Sequence, residues 1–395
     1  MHTFIVFLVI FIISVLYGII EFALHQKRIY SIPIRIHVNG TRGKSSVTRL
    51  IGAALRQGGF KTITKVTGTY PRLILEDGTE TAIYRKTGAN IIEQLSVTRF
   101  ASKRKADALV IECMAVQPQY QWITETKMIH STIGVITNVR MDHVEIMGYS
   151  LDEICDSLGK TIPKNHDLFT AENVIFNRLK RISEWKNAKI HQVDESIVTE
   201  EEMQGFKYFE HKENVALALE VSKHLGIKRE VALKGMYKAI PDAGVLKLSK
   251  IEILGKRINF LNGFAANDPQ STLMIWEKIK TGNKLKGLRI VLLNTRQDRL
   301  ERAKQLSWLI TTKMINDFDY LVLIGQSTQM VEDLCVENGI KMSRILNLGM
   351  TEPESVFDAI HSYTENESTV FAIGNMGGMG GSVAEYFENR SVLNG

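Results

Sequence analysis

Ile34-Arg35-Ile36-His37-Val38-Asn39-Gly40-Thr41-Arg42-Gly43-Lys44-Ser45-Ser46 is the stretch on which the chain is organised. Ile32, Ile34, Ile36 and Val38 alternate with other residues, which predicts a strand entering a buried sheet. Gly40 and Gly43 then break the chain. From Ser45 onward Val47, Leu50, Ile51, Ala54 and Leu55 recur at helical spacing, and Gly58-Gly59 closes the run. Strand, glycine-bearing turn, Lys-Ser and helix make a phosphate cradle. Glycines let backbone N–H groups approach phosphate oxygens, the helix N-terminus adds positive potential, and Lys44 supplies a point charge. The Ser45 hydroxyl is the expected Mg²⁺ contact. A full P-loop pattern would need glycine at position 38, where Val38 stands. The expected nucleotide site is therefore the shorter run Gly40, Thr41, Arg42, Gly43, Lys44, Ser45 and Ser46.

At 395 residues the chain is long enough for two domains and a further element, and its 44% hydrophobic content is that of a folded protein. The net charge of +6 is mild, and its basic groups lack interleaved aromatics, which argues against a nucleic-acid surface. Cys113, Cys155 and Cys335 are odd in number and show no C-x-x-C spacing, against both a disulfide framework and a structural zinc site. Residues 3–24 are nearly all apolar, with Glu21 as their only charge. As a helix they would extend about 33 Å, against a hydrocarbon core of about 30 Å. No basic residue precedes them, and Lys27, Arg28 and Arg35 follow. The segment therefore reads as a single-pass membrane anchor with the remaining chain in the cytoplasm.

Further along, 62–66 reads as a strand leading into a polar loop, Thr67-Gly68-Thr69-Tyr70-Pro71-Arg72. This loop is either an ordinary turn or a cover over the site, with Arg72 available for an anionic substrate. Lys86-Thr87-Gly88-Ala89-Asn90 is a second loop, before a helix carrying Glu93. The buried run 107–111 ends in Glu112, where ligands bind in open α/β sheets. Glu112 reads either as a Mg²⁺ ligand or as a partner for a nearby arginine. Strand 132–137 opens into Asn138-Val139-Arg140-Met141-Asp142-His143, a strand end too polar to bury without a purpose. Ser45, Glu112 and His143 together would suffice for a hydrated magnesium. Ser150 with Glu153 predicts a capping box, and 215–225 and 228–239 predict amphipathic helices. Near Pro241-Asp242-Ala243-Gly244 the pattern shifts, and strands then alternate with helices at 258–261, 269–280, 288–293, 300–315, 320–324, 328–336, 370–373 and 383–387. The fold class is α/β. A P-loop-type, mostly parallel ATPase domain (30–240) follows the transmembrane anchor (1–26) and precedes a Rossmann-like C-terminal domain (241–395). The C-terminal loops carry Asn262-Gly263-Phe264-Ala265-Ala266-Asn267-Asp268, Arg296-Gln297-Asp298-Arg299 and the glycine run 374–381. The last reads as an anion site, as close backbone packing or as an interdomain contact.

Taken in order, these motifs resemble the Mur ligase superfamily of ATP-dependent acid–amino acid ligases, from about Pro33 to the C-terminus. By that resemblance ATP and Mg²⁺ are the cofactors. Lys44 contacts phosphate, Ser45, Glu112 and His143 bind the metal, Asn138 belongs to the nucleotide site, and Asn214 lies near the adenine. Arg296 joins Lys44, Glu112 and His143 in catalysis. Lys247 stands where the family has an arginine, and Lys160 falls near a metal-bridging carbamylated lysine, in surroundings that match poorly.

No room precedes the phosphate loop for the UDP-sugar domain of the peptidoglycan ligases, and the pterin loop of folylpolyglutamate synthases is not found. The anchor, Glu112-Cys113-Met114-Ala115-Val116 and the loop from Asn262 are instead similar to the ligases of poly-γ-glutamate synthesis, which build capsules in Gram-positive bacteria. That resemblance implies polymerisation of glutamate through an acyl phosphate, integral-membrane synthase and export subunits as partners, and a cell-membrane location. The alternatives are a folylpolyglutamate-synthase-like ligase and a P-loop ATPase energising a membrane export complex. The loops at 262–269 and 296–299 argue against the ATPase, which needs no second domain of this kind.

Overall fold

The computed structural model describes residues 2–67, 71–85, 88–206, 208, 210–241, 246–264, 269–281 and 285–391. Gly68-Thr69-Tyr70, Lys86-Thr87, Asp242-Ala243-Gly244 and Ala265-Ala266-Asn267-Asp268, singled out above, lie outside the described residues. The chain divides into two compact units, Met1–Pro241 and Asp242–Gly395.

The first unit begins with helix α1 (His2–Tyr30), and residues 4–20 of it are exposed throughout. By length and composition, 4–30 could cross a membrane. Its far end is part of the unit's core: Ile29 and Ile32 are fully buried, and a ring nitrogen of His25 bonds the Met128 carbonyl at 2.8 Å. An eight-stranded sheet follows, built from β1 (Ile34–Asn39), β2 (Thr62–Val66), β3 (Arg72–Ile74), β4 (Glu80–Ala82), β5 (Ala108–Glu112), β6 (Ile133–Ile136), β7 (Asp167–Thr170) and β8 (Lys189–Gln192). Their order is β4-β3-β2-β5-β1-β6-β7-β8, parallel except for β3 and β4.

β1 sits near the middle with both faces covered, so its alternation separates two cores rather than core from water. Ile36 and Val38 pack under helix α2 (Lys44–Gln57) with Val47, Leu50, Ile51, Ala54 and Leu55. On the opposite face His37 is buried against Glu125 at 2.8 Å. Burial works against the imidazolium, but hydrogen bonds to Cys113 and Glu125 outweigh it and raise His37 to about 9. The expected capping box is present: Glu153 N donates to Ser150 Oγ at 3.2 Å, and Ser150 N to Glu153 Oε2 at 3.1 Å.

The second unit is a six-stranded sheet of β9 (Lys247–Ile253), β10 (Lys256–Asn262), β11 (Leu288–Thr295), β12 (Tyr320–Gly325), β13 (Ile345–Gly349) and β14 (Glu367–Gly374). The order is β13-β12-β11-β14-β10-β9, parallel except for β9, which forms a hairpin with β10. Three elements here go beyond the sequence reading: β9, β13 and the helix Pro353–Tyr363. Among the described residues of β9, Ser249 and Ile251 alone turn fully inward, and in β13 every residue is half-buried, so neither carries the apolar run that marks a central strand.

Candidate active site

β1 delivers the chain to the C-terminal edge of its sheet, and the loop there turns directly into α2. The turn depends on Gly43, which caps the helix at φ +81; a Cβ on it would stand 2.5 Å from Asn214 Oδ1. The strand end after β6 braces the loop. Asn138 accepts at its carbonyl from Thr41 N (3.0 Å), and at Oδ1 from Thr41 Oγ1 (2.8 Å) and Arg42 N (3.1 Å). Thr137 Oγ1 donates to Arg42 O at 2.5 Å, and Asn138 Nδ2 to Glu213 Oε1 at 3.0 Å. Lys44 curls over the loop, its Nζ donating to Gly40 O at 2.7 Å and Thr41 O at 3.2 Å. The ammonium and the first amides of α2 thus gather at one point, the arrangement that holds a phosphate.

Glu112 ends β5, which pairs with β1 so that Glu112 lies opposite Val38. Its carboxylate is 2% exposed and accepts from Ser45 Oγ at 3.0 and 3.1 Å and from Thr67 N at 2.6 Å. No arginine is bonded to it among the described residues; the buried Lys65, whose charge it influences, is itself paired with Glu93 at 2.8 Å. A nearly buried carboxylate held by neutral donors beside a serine hydroxyl is a donor set that suits a hard divalent cation. His143 stands apart. It caps the short helix Val144–Met147 at φ +45, and its ion partner is Glu145 at 3.8 Å. Among the described residues no hydrogen bond or ion pair joins it to Ser45 or Glu112. Lys160 is not with these residues either: it lines a cavity on the opposite, N-terminal edge of the sheet.

Asn214, near the start of the helix Lys212–His224, lies against Gly43 and donates Nδ2–H to Glu210 Oε1 at 2.8 Å. Burial pushes the Glu210 carboxyl up to about 7, although hydrogen bonds from Asn214, His211 N and Tyr208 work the other way. Glu210, Glu213 and Thr137 are supporting residues to which the sequence reading gives no role. The stretch Glu210-His211-Lys212-Glu213-Asn214 contains the signal, two acids beside the asparagine, without saying that one of them is buried.

In the second unit, β11 and β14 are neighbours, so their following loops meet. Asn294 Nδ2 donates to Asn375 O (2.5 Å) and Gly377 O (3.0 Å), and Arg302 Nη1 to Asn375 Oδ1 (2.7 Å). Arg296 forks onto Asp298 at 2.7 and 2.9 Å and lies on the glycine run so closely that a Cβ at Gly377 would stand 2.3 Å from Nη1. The run is closely packed against Asn294 and Arg296. Lys247 opens β9 opposite Asn262, at the same hairpin end that leads into Phe264.

Residues 38–240 match the family model of the Mur ligase middle domain, and 248–390 match that of the poly-gamma-glutamate synthase CapB C-terminal domain. The capsule biosynthesis protein CapB of Bacillus anthracis is 38% identical over 366 residues, 92% of this chain and 78% of that one. The PGA synthase CapB of Bacillus subtilis is 36% identical over 377 residues, 95% of each chain. A bifunctional folylpolyglutamate synthase/dihydrofolate synthase of Yersinia pestis, solved with AMPPNP and a Mn ion, shares the fold: the TM-score is 0.68 over 93% of this chain and 92% of that one, at 12% identity. The chain belongs to the Mur ligase family of ATP-dependent, amide-forming ligases, in its poly-γ-glutamate synthase CapB group.

Proposed function

We propose that this chain joins glutamate units through an acyl phosphate, with the loop 40–46 holding the phosphates of ATP. The observation that carries the reading is the convergence of Lys44, the N-terminus of α2 and the Ser45–Glu112 pair at one sheet edge. Lys44 exchanges the Gly40 and Thr41 carbonyls for phosphate oxygens, and the α2 amides share the charge. Ser45 and Glu112 would hold Mg²⁺, and His143, which stands apart from them here, is assigned as the third ligand by the family resemblance. Bound there, Mg²⁺ supplies charge neutralisation for the transferring phosphoryl group. Asn138 and Thr137 fix the loop, and Asn214 supports it from below on the side assigned to the adenine.

A carboxylate oxygen of the polymer or first glutamate attacks the γ-phosphorus, and ADP leaves. The amine of the next glutamate then attacks the acyl carbon, phosphate leaves, and the nitrogen loses its proton to give the amide. Arg72 and Arg296 are assigned to substrate carboxylates, which suit a guanidinium fork, and Lys247 to the nucleotide. We assign 30–240 to ATP binding and 241–395 to the incoming amino acid. The exposed apolar run of α1 supports a single-pass anchor with both units cytoplasmic, beside integral-membrane subunits that take up the polymer. The test is Lys44→Ala in membranes given ATP, Mg²⁺ and labelled glutamate. Glutamate-dependent phosphate release and label in γ-linked polymer should both vanish while the chain stays in the membrane; polymer made at the usual rate would remove the loop from the mechanism.

A further inference from the structure

The N-terminal edge of the first sheet, opposite the phosphate loop, holds a cavity of about 900 Å³. Arg35 near the start of β1, Ser131 just before β6 and His166 just before β7 lie in its wall. Apart from Lys160, which the structure separates from Ser45 and Glu112, none of the residues assigned above to nucleotide, metal or substrate lines it.

The wall carries more positive charge than the fold uses. Of its carboxylates, Glu125 is held by His37 and Ser131, and Asp156 by Arg178 at 2.5 and 2.7 Å. Lys186 donates to three carbonyls, of Gly159, Lys160 and Ile162, at 2.8–3.0 Å. Lys160, Lys164 and Arg181 are exposed there, and their side chains form no ion pair among the described residues. Three rings share the wall, each substantially exposed: Tyr30 (60%), Trp122 (44%) and Trp185 (86%).

The place of the cavity along α1 gives this chemistry its meaning. The helix end is docked beside it: Gln26 Nε2 donates to Lys127 O at 3.2 Å, and the Tyr30 ring stacks on His130 at 5.5 Å. Tyr30 is six residues past Leu24, where the apolar run ends, or about 9 Å along the helix axis. The polar layer of a bilayer is roughly 5–8 Å deep on each side. A cavity walled by Tyr30 therefore lies at the outer margin of that polar layer, within reach of lipid headgroups. Indole and phenol rings beside lysine and arginine are the residue types that anchor to that layer.

We infer that this cavity binds the headgroup of an anionic phospholipid, with its phosphate on Lys160, Lys164 and Arg181 and its glycerol against the Tyr30, Trp122 and Trp185 rings. The inference rests on the reading of α1 as a membrane anchor. The polyanionic product is the weaker occupant, because it is made at the opposite sheet edge and its carboxylates have no use for three exposed rings.

The test uses the full chain in an uncharged detergent, titrated with dihexanoyl phosphatidylglycerol and followed by tryptophan fluorescence. Dihexanoyl phosphatidylcholine, inorganic phosphate and soluble poly-γ-glutamate are the comparisons. The expected result is saturable binding of phosphatidylglycerol, about tenfold or more tighter than phosphatidylcholine, and weakened about tenfold or more in the variant Lys160→Gln/Lys164→Gln/Arg181→Gln. All three residues are on the surface, so that variant should fold. Unchanged affinity in the variant, equal affinity for the two lipids, or tighter binding of phosphate or polymer than of phosphatidylglycerol would each overturn the assignment. Flotation of the wild-type chain with phosphatidylcholine vesicles reports on the anchor separately: a chain left in the aqueous fraction removes the anchor reading whatever the titration gives.

Discussion

Glu210 is the residue whose chemistry departs furthest from what its place in the sequence suggests. It is 4% exposed, has no cation bonded to it among the described residues, and holds Asn214 against the phosphate loop. Its folded pKa of about 7 lies above the ordinary carboxyl value of 4.5, so the folded state keeps the proton longer than the unfolded one. The resulting contribution to stability is complete below pH 4.5 and is lost as pH rises through about 7. Across that window the wild type should lose up to roughly 3 kcal/mol relative to Glu210→Gln, which has no proton to release. Urea unfolding of both proteins between pH 4.5 and 8 measures it, and a difference that stays flat would mean the carboxyl is not buried as described. Glu112 shows the converse. Its value to the site comes from neutral donors, Ser45 Oγ and Thr67 N, which leave its charge available to a cation.

At the scale of elements, the strand–turn–helix at 34–57 was legible because three signals agree there: alternation, glycine spacing and helical periodicity. The C-terminal edge positions of Glu112 and Asn138 followed from strand runs that end in polar residues. What could not be read was support from elsewhere in the chain. Glu125 is an ordinary acid in the sequence, yet it lies in a π-helical turn (Thr124–Ile129) that carries it beneath β1 onto His37, with Ser131 N and Oγ on its other oxygen at 2.9 and 2.8 Å. β9 escaped for a related reason, since its inward side offers Ser249 where a strand pattern wants an apolar residue. The buried pair ties β1, and with it the approach to the phosphate loop, to the helix beside α1. Glu125→Ala should cost about 3–5 kcal/mol, because it strands His37 in the core, whereas His37→Phe/Glu125→Leu should recover most of that loss. Thermal unfolding of the two variants decides the matter: equal destabilisation would show that packing, not the uncompensated charge, dominates.

For the molecule as a whole, α1 has two jobs that divide near His25. Residues 4–20 are exposed, while Ile29 and Ile32 are buried with Ile63, Val97, Ala101, Leu109 and Ile129 in one cluster. A segment that merely trailed from the fold would leave no apolar residues in the core, so α1 and the first unit are built as one piece. The orientation of the first sheet is then fixed relative to the axis of α1. Removing residues 2–24 should therefore release a folded, soluble chain with the ATP-dependent chemistry intact. Removing residues 2–32 should also strip out two fully buried isoleucines and the His25–Met128 bond, costing about 4–7 kcal/mol. Comparing the melting temperatures of the two truncations separates the roles: the first should melt as the full chain does, and the second about 10–25 °C lower. Equal melting of both would mean that the end of α1 is a passive linker and that nothing but the membrane segment holds the enzyme in place.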